Sequence, residues 1–223
     1  MESPPLPKLE IGASSEEAEL CVLLMHGLGA DGHDFADVAT LLSKAAQPRK
    51  WRFVLPHAPK MEVTINMGMR MPAWYDIIDL DHPRSVNWDT VAASARHIEV
   101  LLKAEHAKKV VLAGFSQGAA IALHVGLRRP SEIAGILMMS GYLLESDEHP
   151  CPKKSAEFPI GIMHGSDDEV IPFSAAEGTV AALEGSGFSP TLKVYPGMAH
   201  SVCEEEIGDV LAWLEQVSSR TLA

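Results

Sequence analysis

Short, unbroken runs of apolar residues alternate along the chain with longer stretches in which apolar residues recur every three or four positions. The short runs are typical of strands buried on both faces, and the longer period is typical of amphipathic helices. Strands are predicted at residues 20–25, 51–55, 109–113, 133–139, 159–163 and 191–195. Helices are predicted at residues 34–45, 88–103, 117–127, 175–183 and 204–217. This alternation predicts an α/β fold in which helices cover both faces of a mostly parallel sheet.

Two segments lack this pattern. Residues 1–15 contain Pro4, Pro5 and Pro7 and are expected to be loosely ordered. Residues 57–87 show no sustained period, and a connection of that length is usually functional unless it holds elements that the pattern does not reveal. No internal repeat or low-complexity linker divides the chain, so residues 1–223 are predicted to form one domain.

The composition narrows the classes of partner. Lys and Arg number 18 against 30 Asp and Glu, a formal net charge of −12, and an acidic surface repels nucleic acid and anionic lipid headgroups. Cys21, Cys151 and Cys203 fit neither a disulfide framework nor the spacing of a zinc site. The chain shows no basic-then-apolar leader and no apolar run near the roughly 20 residues that span a bilayer. We therefore expect a cytoplasmic protein that neither binds nucleic acid nor inserts stably into membranes.

The strongest local signal is Gly-Phe-Ser-Gln-Gly at residues 114–118, directly after one predicted strand and at the start of a helix. A G-x-S-x-G pentapeptide alone is weak, but this strand–turn–helix setting is what a nucleophile elbow requires. Gly114 and Gly118 lack a Cβ, so strand and helix can cross closely while Ser116 is presented on the turn. An ordinary serine in a tight turn is the alternative interpretation.

A serine nucleophile needs a base, which is usually a histidine oriented by a carboxylate. His200 lies between the last predicted strand and the last helix, where the base of an α/β-hydrolase belongs, and an exposed or helix-capping histidine is the alternative. The acid is expected after the preceding strand. Asp167, Asp168 and Glu169 all stand there, and spacing alone does not choose among them.

An oxyanion hole needs two N–H donors in fixed positions. Gln117 follows the nucleophile at a helix N-terminus, where backbone N–H groups are free. The second donor is expected from the glycine-rich loop at residues 26–32, which follows an early strand. That loop has neither G-x-G-x-x-G nor G-K-[ST], so it does not match a phosphate-binding loop.

Five segments in order resemble the carboxylesterase and acyl-protein thioesterase family of α/β-hydrolases. They are HGLGADG (26–32), MPAWYDI (71–77), AGFSQGAA (113–120), HGSDDEVIP (164–172) and GMAHS (197–201). The resemblance implies an α/β-hydrolase fold without a large lid domain. It assigns the catalytic triad to Ser116, Asp168 and His200, and the oxyanion N–H groups to Leu28 and Gln117. It also implies hydrolysis of carboxylic esters and acyl thioesters with no metal or cofactor.

The segment without a period supplies the candidates for the substrate pocket. These are Met67, Met69, Met71 and Trp74. Flexible thioether side chains suit an adaptable acyl-binding groove, a contact in a homodimer or the filling of gaps in the core. The expected substrate is a small ester or an acylated molecule. A peptidase or another amide-directed serine hydrolase is the main alternative, and a non-catalytic binding protein on the same fold is a weaker one.

Overall fold

The computed structural model describes residues 5–80, 85–154 and 157–220. Nine strands are present in this part of the chain: β1 (Lys8–Gly12), β2 (Leu20–Met25), β3 (Trp51–Pro56), β4 (Lys60–Val63), β5 (Met69–Pro72), β6 (Val110–Phe115), β7 (Gly135–Met139), β8 (Ile160–Gly165) and β9 (Thr191–Tyr195). The α-helices are α1 (Ala36–Ala45), α2 (Trp88–Lys103), α3 (Gln117–Gly126), α4 (Phe173–Gly185) and α5 (Glu204–Ser219). Short 3-10 helices span Gly32–Phe35 and Thr64–Asn66.

Seven strands form the central sheet in the order β1-β3-β2-β6-β7-β8-β9. All neighbouring pairs are parallel except β1 with β3, which is antiparallel. The predicted fold class is therefore confirmed. Because parallel strands end at the same edge, the loops after β2, β6, β8 and β9 meet there.

The two faces of the sheet divide the core. Cys21, Leu23 and Met25 of β2 pack with α2 and α3 on one face. Leu20 and Leu24 of the same strand pack with α1 and α5 on the other. This alternation follows from the twofold period of a strand. Because both faces are covered by apolar side chains, all six residues of β2 are buried, which is why the strand reads as an unbroken apolar run.

The prediction of a loose N-terminal segment is wrong for residues 8–12. They form β1, an edge strand whose register pairs Lys8 with Pro56 and Gly12 with Arg52. None of its five side chains is fully buried. Leu9 and Ile11 pack half-buried against the core, and Glu10 forms an ion pair with the buried Arg52 (2.9 Å). A strand without buried apolar residues leaves no apolar run in the sequence. Residues 1–4 of the predicted loose segment lie outside the described residues.

The segment at residues 57–87 also holds regular structure that the pattern does not reveal. Strands β4 and β5 form an antiparallel hairpin in which Lys60 pairs with Pro72 and Val63 with Met69. The turn between them contains two left-handed residues, Met67 (φ 56°) and Gly68 (φ 74°). Each strand has only four residues, too few for a clear period. Residues 81–84 of this segment lie outside the described part of the chain.

Glu206, in the first turn of α5, is a buried carboxyl with consequences for stability. It is fully buried and lines a void of about 20 Å³ among apolar side chains that include Val22, Phe35 and Leu214. Burial raises the pKa of Glu206 from its ordinary value of 4.5 to about 7, although the backbone at Cys203 opposes this in part. A carboxyl whose pKa is higher in the folded state costs the fold nothing at low pH. Its cost grows as the pH rises from 4.5 and is complete above about 7.

Replacing Glu206 by glutamine is expected to remove this pH-dependent cost. The rise in pKa corresponds to about 3 kcal/mol, at about 1.4 kcal/mol per pKa unit. Between pH 4.5 and 8 the wild-type free energy of unfolding should fall by up to this amount relative to the variant. Denaturant unfolding at the two pH values measures it. Glu204→Gln, an exposed residue in the same turn, should show no such difference, and parallel pH profiles for wild type and Glu206→Gln would contradict the account.

Candidate active site

Ser116 is the single residue between β6 and α3, where the chain turns sharply. Its backbone has φ 55° and ψ −120°, a strained conformation for a residue with a Cβ. The flanking glycines allow the crossing. A Cβ at Gly114 would lie 2.3 Å from the backbone of Gly118, and one at Gly118 would lie 2.3 Å from the carbonyl oxygen of Met25. This geometry is that of the predicted nucleophile elbow.

A histidine and a carboxylate reach Ser116 from two other loops at the same edge of the sheet. His200 follows β9, and its Nε2 lies 3.0 Å from Ser116 Oγ. Its Nδ1 lies 2.7 Å from Oδ2 of Asp168, which follows β8. The structure therefore brings the three predicted residues together as nucleophile, base and orienting acid would be arranged.

The structure also distinguishes the three acidic candidates. Asp168 is buried, and its second oxygen, Oδ1, accepts the backbone N–H groups of Val170 (2.9 Å) and Ile171 (2.8 Å). Those bonds leave Oδ2 aimed at His200. Asp167 and Glu169 are exposed, and the carboxylate of Asp167 instead accepts the hydroxyl of its neighbour Ser166.

His164 supports the acid loop from the other side, a role that the sequence patterns did not indicate. It is fully buried at the end of β8, and its Nε2–H donates to the carbonyl oxygen of Ile171 at 2.8 Å. The same nitrogen lies 3.6 Å from Asp168 Oδ2. Burial lowers the pKa of His164, so a neutral imidazole holds the turn that aims Asp168.

The two predicted oxyanion donors border one cavity beside Ser116. Leu28 and Gln117 both line it together with Ser116. The loop that carries Leu28 passes close to the elbow, because a Cβ at Gly27 would lie 3.4 Å from Ser116 Cβ. The N–H of Gln117 begins α3 and has no carbonyl partner within the helix.

The side chain of Gln117 ties the elbow to the segment before α2. Its Oε1 accepts the backbone N–H of Trp74 at 2.7 Å, and its Nε2 donates to the carbonyl oxygen of Tyr75 at 2.7 Å. The indole N–H of Trp74 donates in turn to the carbonyl oxygen of His26 at 2.8 Å. Trp74 is fully buried. It therefore braces the oxyanion loop and, contrary to prediction, does not line the substrate cavity.

The methionine candidates also lie outside the cavity. Met67 is 95% exposed at the tip of the β4–β5 hairpin, and Met69 is 61% exposed. Met71 is half-buried near Gly29, where its Sδ would lie 3.9 Å from a Cβ. The pattern pointed to the correct segment, but the hairpin directs these side chains elsewhere. Which residues face the cavity depends on the path of the hairpin and of the 3-10 helix after β4.

The cavity has a volume of about 650 Å³. Its apolar lining comes mainly from residues 57–87 and from the loops after β2, β7 and β8: Leu28, Ile65, Ile77, Leu80, Tyr142, Val170 and Pro172. Ser116 and His200 lie in its wall. A cleft of this size with an apolar lining and a few convergent polar groups is typical of a small-molecule site.

Residues 6–218 match the family described as Phospholipase/Carboxylesterase. The chain belongs to this family. Its sequence is 33% identical over 209 residues to acyl-protein thioesterase 1 of Gibberella zeae, covering 87% of this chain and 89% of that one. It is 32% identical over 230 residues to acyl-protein thioesterase 1 of Yarrowia lipolytica, covering 96% and 98%.

Solved structures agree with this membership of the phospholipase/carboxylesterase family. Arabidopsis thaliana SOBER1 superposes with a TM-score of 0.81 at 25% identity, covering 89% of this chain and 98% of that one. Zea mays acyl-protein thioesterase 2 superposes with a TM-score of 0.78 at 24% identity, covering 96% and 99%, and supports the fold. The resemblance, the α/β-hydrolase fold and the prediction of a hydrolase are thus confirmed.

The remaining predictions concern the domain organisation, the cellular location and the binding partners of the protein. Among residues 5–80, 85–154 and 157–220, no helix is both long and apolar enough to cross a membrane. The single domain, a cytoplasmic location, a homodimer and the absence of nucleic-acid binding stay predictions.

Proposed function

We propose that this family member hydrolyses carboxylic esters and acyl thioesters through Ser116, His200 and Asp168. The observation that carries the proposal is the line of contacts from Ser116 Oγ to His200 Nε2 (3.0 Å) and from His200 Nδ1 to Asp168 Oδ2 (2.7 Å). A neutral imidazole in this position can take the serine proton as the oxygen attacks. Asp168 accepts from Nδ1–H, which leaves the lone pair of Nε2 facing the serine.

The reaction runs in two halves. In the first, Ser116 Oγ attacks the carbonyl carbon and its proton passes to His200 Nε2. The tetrahedral oxyanion is stabilised by the N–H groups of Leu28 and Gln117. The bond to the leaving oxygen or sulfur then breaks, and the proton on His200 passes to the leaving group. In the second half, His200 deprotonates a water that attacks the acyl-serine, and Ser116 regains its proton as the acid leaves.

The cavity favours an acyl chain as the group that is recognised. The cavity has an apolar lining beside Ser116, to which Ile65, Ile77, Leu80 and Val170 contribute. The protein as a whole carries a net charge of −12. An apolar chain gains free energy on leaving water, whereas an acidic protein repels anionic surfaces. The names of the relatives, acyl-protein thioesterases, support acylated substrates of this kind.

Turnover of a matched acyl series is expected to rise with chain length until the cavity is full. Each methylene that enters the apolar lining should raise kcat/KM by up to about fourfold, which corresponds to about 0.8 kcal/mol per buried methylene. Oxygen esters, thioesters and amides of the same acyl groups are compared. We expect esters and thioesters to be cleaved and amides to be cleaved far more slowly. A preference for the amides, or turnover independent of the acyl group, would contradict the proposal.

Two variants test whether the dependence of kcat/KM on acyl-chain length arises from the cavity lining. Ile65 lines the cavity, so Ile65→Ala should flatten the dependence of kcat/KM on chain length. Met67 comes two residues later in the chain and is almost fully exposed, so Met67→Ala should leave that dependence unchanged. The reverse ranking would place the acyl chain on the hairpin tip instead.

A further inference from the structure

Asp31, His33 and His57 bring a carboxylate and two imidazoles together at the surface. One possible ligand atom of each residue lies within 4.8 Å of the other two. Within residues 5–80, 85–154 and 157–220, no other group of three or more His, Cys, Asp or Glu residues brings its possible ligand atoms this close together. The group lies beyond the carboxyl ends of β2 and β3, and Asp31 belongs to the same loop as Leu28.

Local structure holds two of the three donors in place. Asp31 caps the 3-10 helix Gly32–Phe35, because its Oδ1 accepts the backbone N–H of His33 at 2.8 Å. The same oxygen lies 2.9 Å from His33 Nδ1. A carboxylate can only accept, so this Nδ1 carries a proton that it shares with Asp31.

His57 presents an unprotonated nitrogen to the same oxygen. It follows β3 directly, and its Nδ1 accepts the backbone N–H of Gly32 at 3.1 Å. A nitrogen that accepts a hydrogen bond is unprotonated, and its lone pair can bind a metal ion that displaces the Gly32 N–H. This Nδ1 lies 3.9 Å from Asp31 Oδ1.

These separations suit a transition-metal ion. Metal–nitrogen and metal–oxygen bonds to zinc are about 2.0–2.2 Å, so neighbouring ligands of a tetrahedral site lie about 3.3–3.5 Å apart. The distances of 2.9 Å and 3.9 Å from Asp31 Oδ1 bracket that spacing. Asp31 and His33 are exposed, so their side chains can turn the remaining few tenths of an ångström. An ion at the centre would take the place of the proton that Asp31 and His33 share.

We propose that Asp31, His33 and His57 bind a first-row transition-metal cation such as Zn²⁺, at a site separate from Ser116. Two imidazoles and one carboxylate favour zinc, copper or nickel over magnesium or calcium, which prefer oxygen ligands alone. Three protein donors leave at least one position for water. The sequence patterns did not reveal this site because His57 is far from Asp31 and His33 along the chain.

Calorimetric titration of the metal-free full chain with zinc chloride tests the proposal. We expect one zinc ion per chain, and at least tenfold weaker binding in each of His33→Gln and His57→Gln. His106 is exposed and lies at the opposite, amino end of the strands, just before β6. His106→Gln is the matched control and should keep the wild-type affinity.

Thermal unfolding gives a second readout that does not depend on catalysis. Zinc at about 100 times its dissociation constant should raise the midpoint by about 5 °C in a chain of this size, and His33→Gln should abolish most of the rise. Should His57→Gln fail to fold, the exposed variants His33→Gln and Asp31→Asn carry the test. Absence of one-to-one binding at submillimolar zinc, or an affinity that all these variants retain, would overturn the site whether or not the protein cleaves esters.

Discussion

Replacing Ser116 by alanine should lower kcat for ester hydrolysis by about 10⁶-fold, the scale seen when a serine nucleophile is removed from another triad. Without the hydroxyl no acyl-enzyme can form, and only the oxyanion donors and substrate binding remain to assist water. Because alanine retains a Cβ, it places no new atom in the strained turn of Ser116 (φ 55°). The unfolding midpoint should therefore change little. Steady-state rates with one short-chain nitrophenyl ester measure the effect.

Ser201 offers the matched control for that substitution. It is exposed and follows His200 in the chain, yet it does not line the cavity. Ser201→Ala should retain turnover within a few-fold of wild type. Near-normal turnover in Ser116→Ala would mean that another group performs the attack.

Replacing Asp168 by asparagine should lower kcat by about 10⁴-fold, as in a triad whose acid becomes an amide. The amide oxygen of the variant can still accept the N–H groups of Val170 and Ile171, which bind Asp168 Oδ1 in the wild-type protein. The amide nitrogen then faces His200 Nδ1 and can only donate to it. His200 must place its proton on Nε2, so it can no longer accept the proton of Ser116.

The adjacent residue Asp167 provides a control for the Asp168→Asn substitution. Asp167 carries the same charge but is exposed and bonds to Ser166 rather than to His200. Asp167→Asn should therefore keep kcat within a few-fold of wild type. Equal losses in the two variants would show that loss of charge near the site matters more than the orientation of His200.

The sequence predicts the parts of this fold that depend on burial. Strand β2 is covered on both faces and reads as an unbroken apolar run. Strand β1 has no buried side chain, and each strand of the β4–β5 hairpin has four residues. Elements that are short or bury few apolar side chains leave only a weak pattern in the sequence, because their backbone hydrogen bonds can form with any residues.

The candidate site divides in the same way. Ser116 has a local signature because the elbow requires glycines at fixed positions, as the close approaches of Gly114 and Gly118 show. The choice of Asp168 over its acidic neighbours comes from tertiary geometry and, in the sequence, only from the family resemblance. His164 lies in the HGSDDEVIP segment, but neither its contacts with the acid loop nor the lining of the cavity can be read from the pattern, because both depend on how the loops fold.

Covalent labelling followed by peptide mapping tests directly whether Ser116 is the nucleophile. A fluorophosphonate reacts with a serine only when a base and an oxyanion hole activate it. We expect one adduct per chain, located on Ser116 by tandem mass spectrometry, with esterase activity lost in proportion to labelling. An unlabelled Ser116 in an active protein, or an adduct on another residue that accompanies the loss of activity, would contradict it.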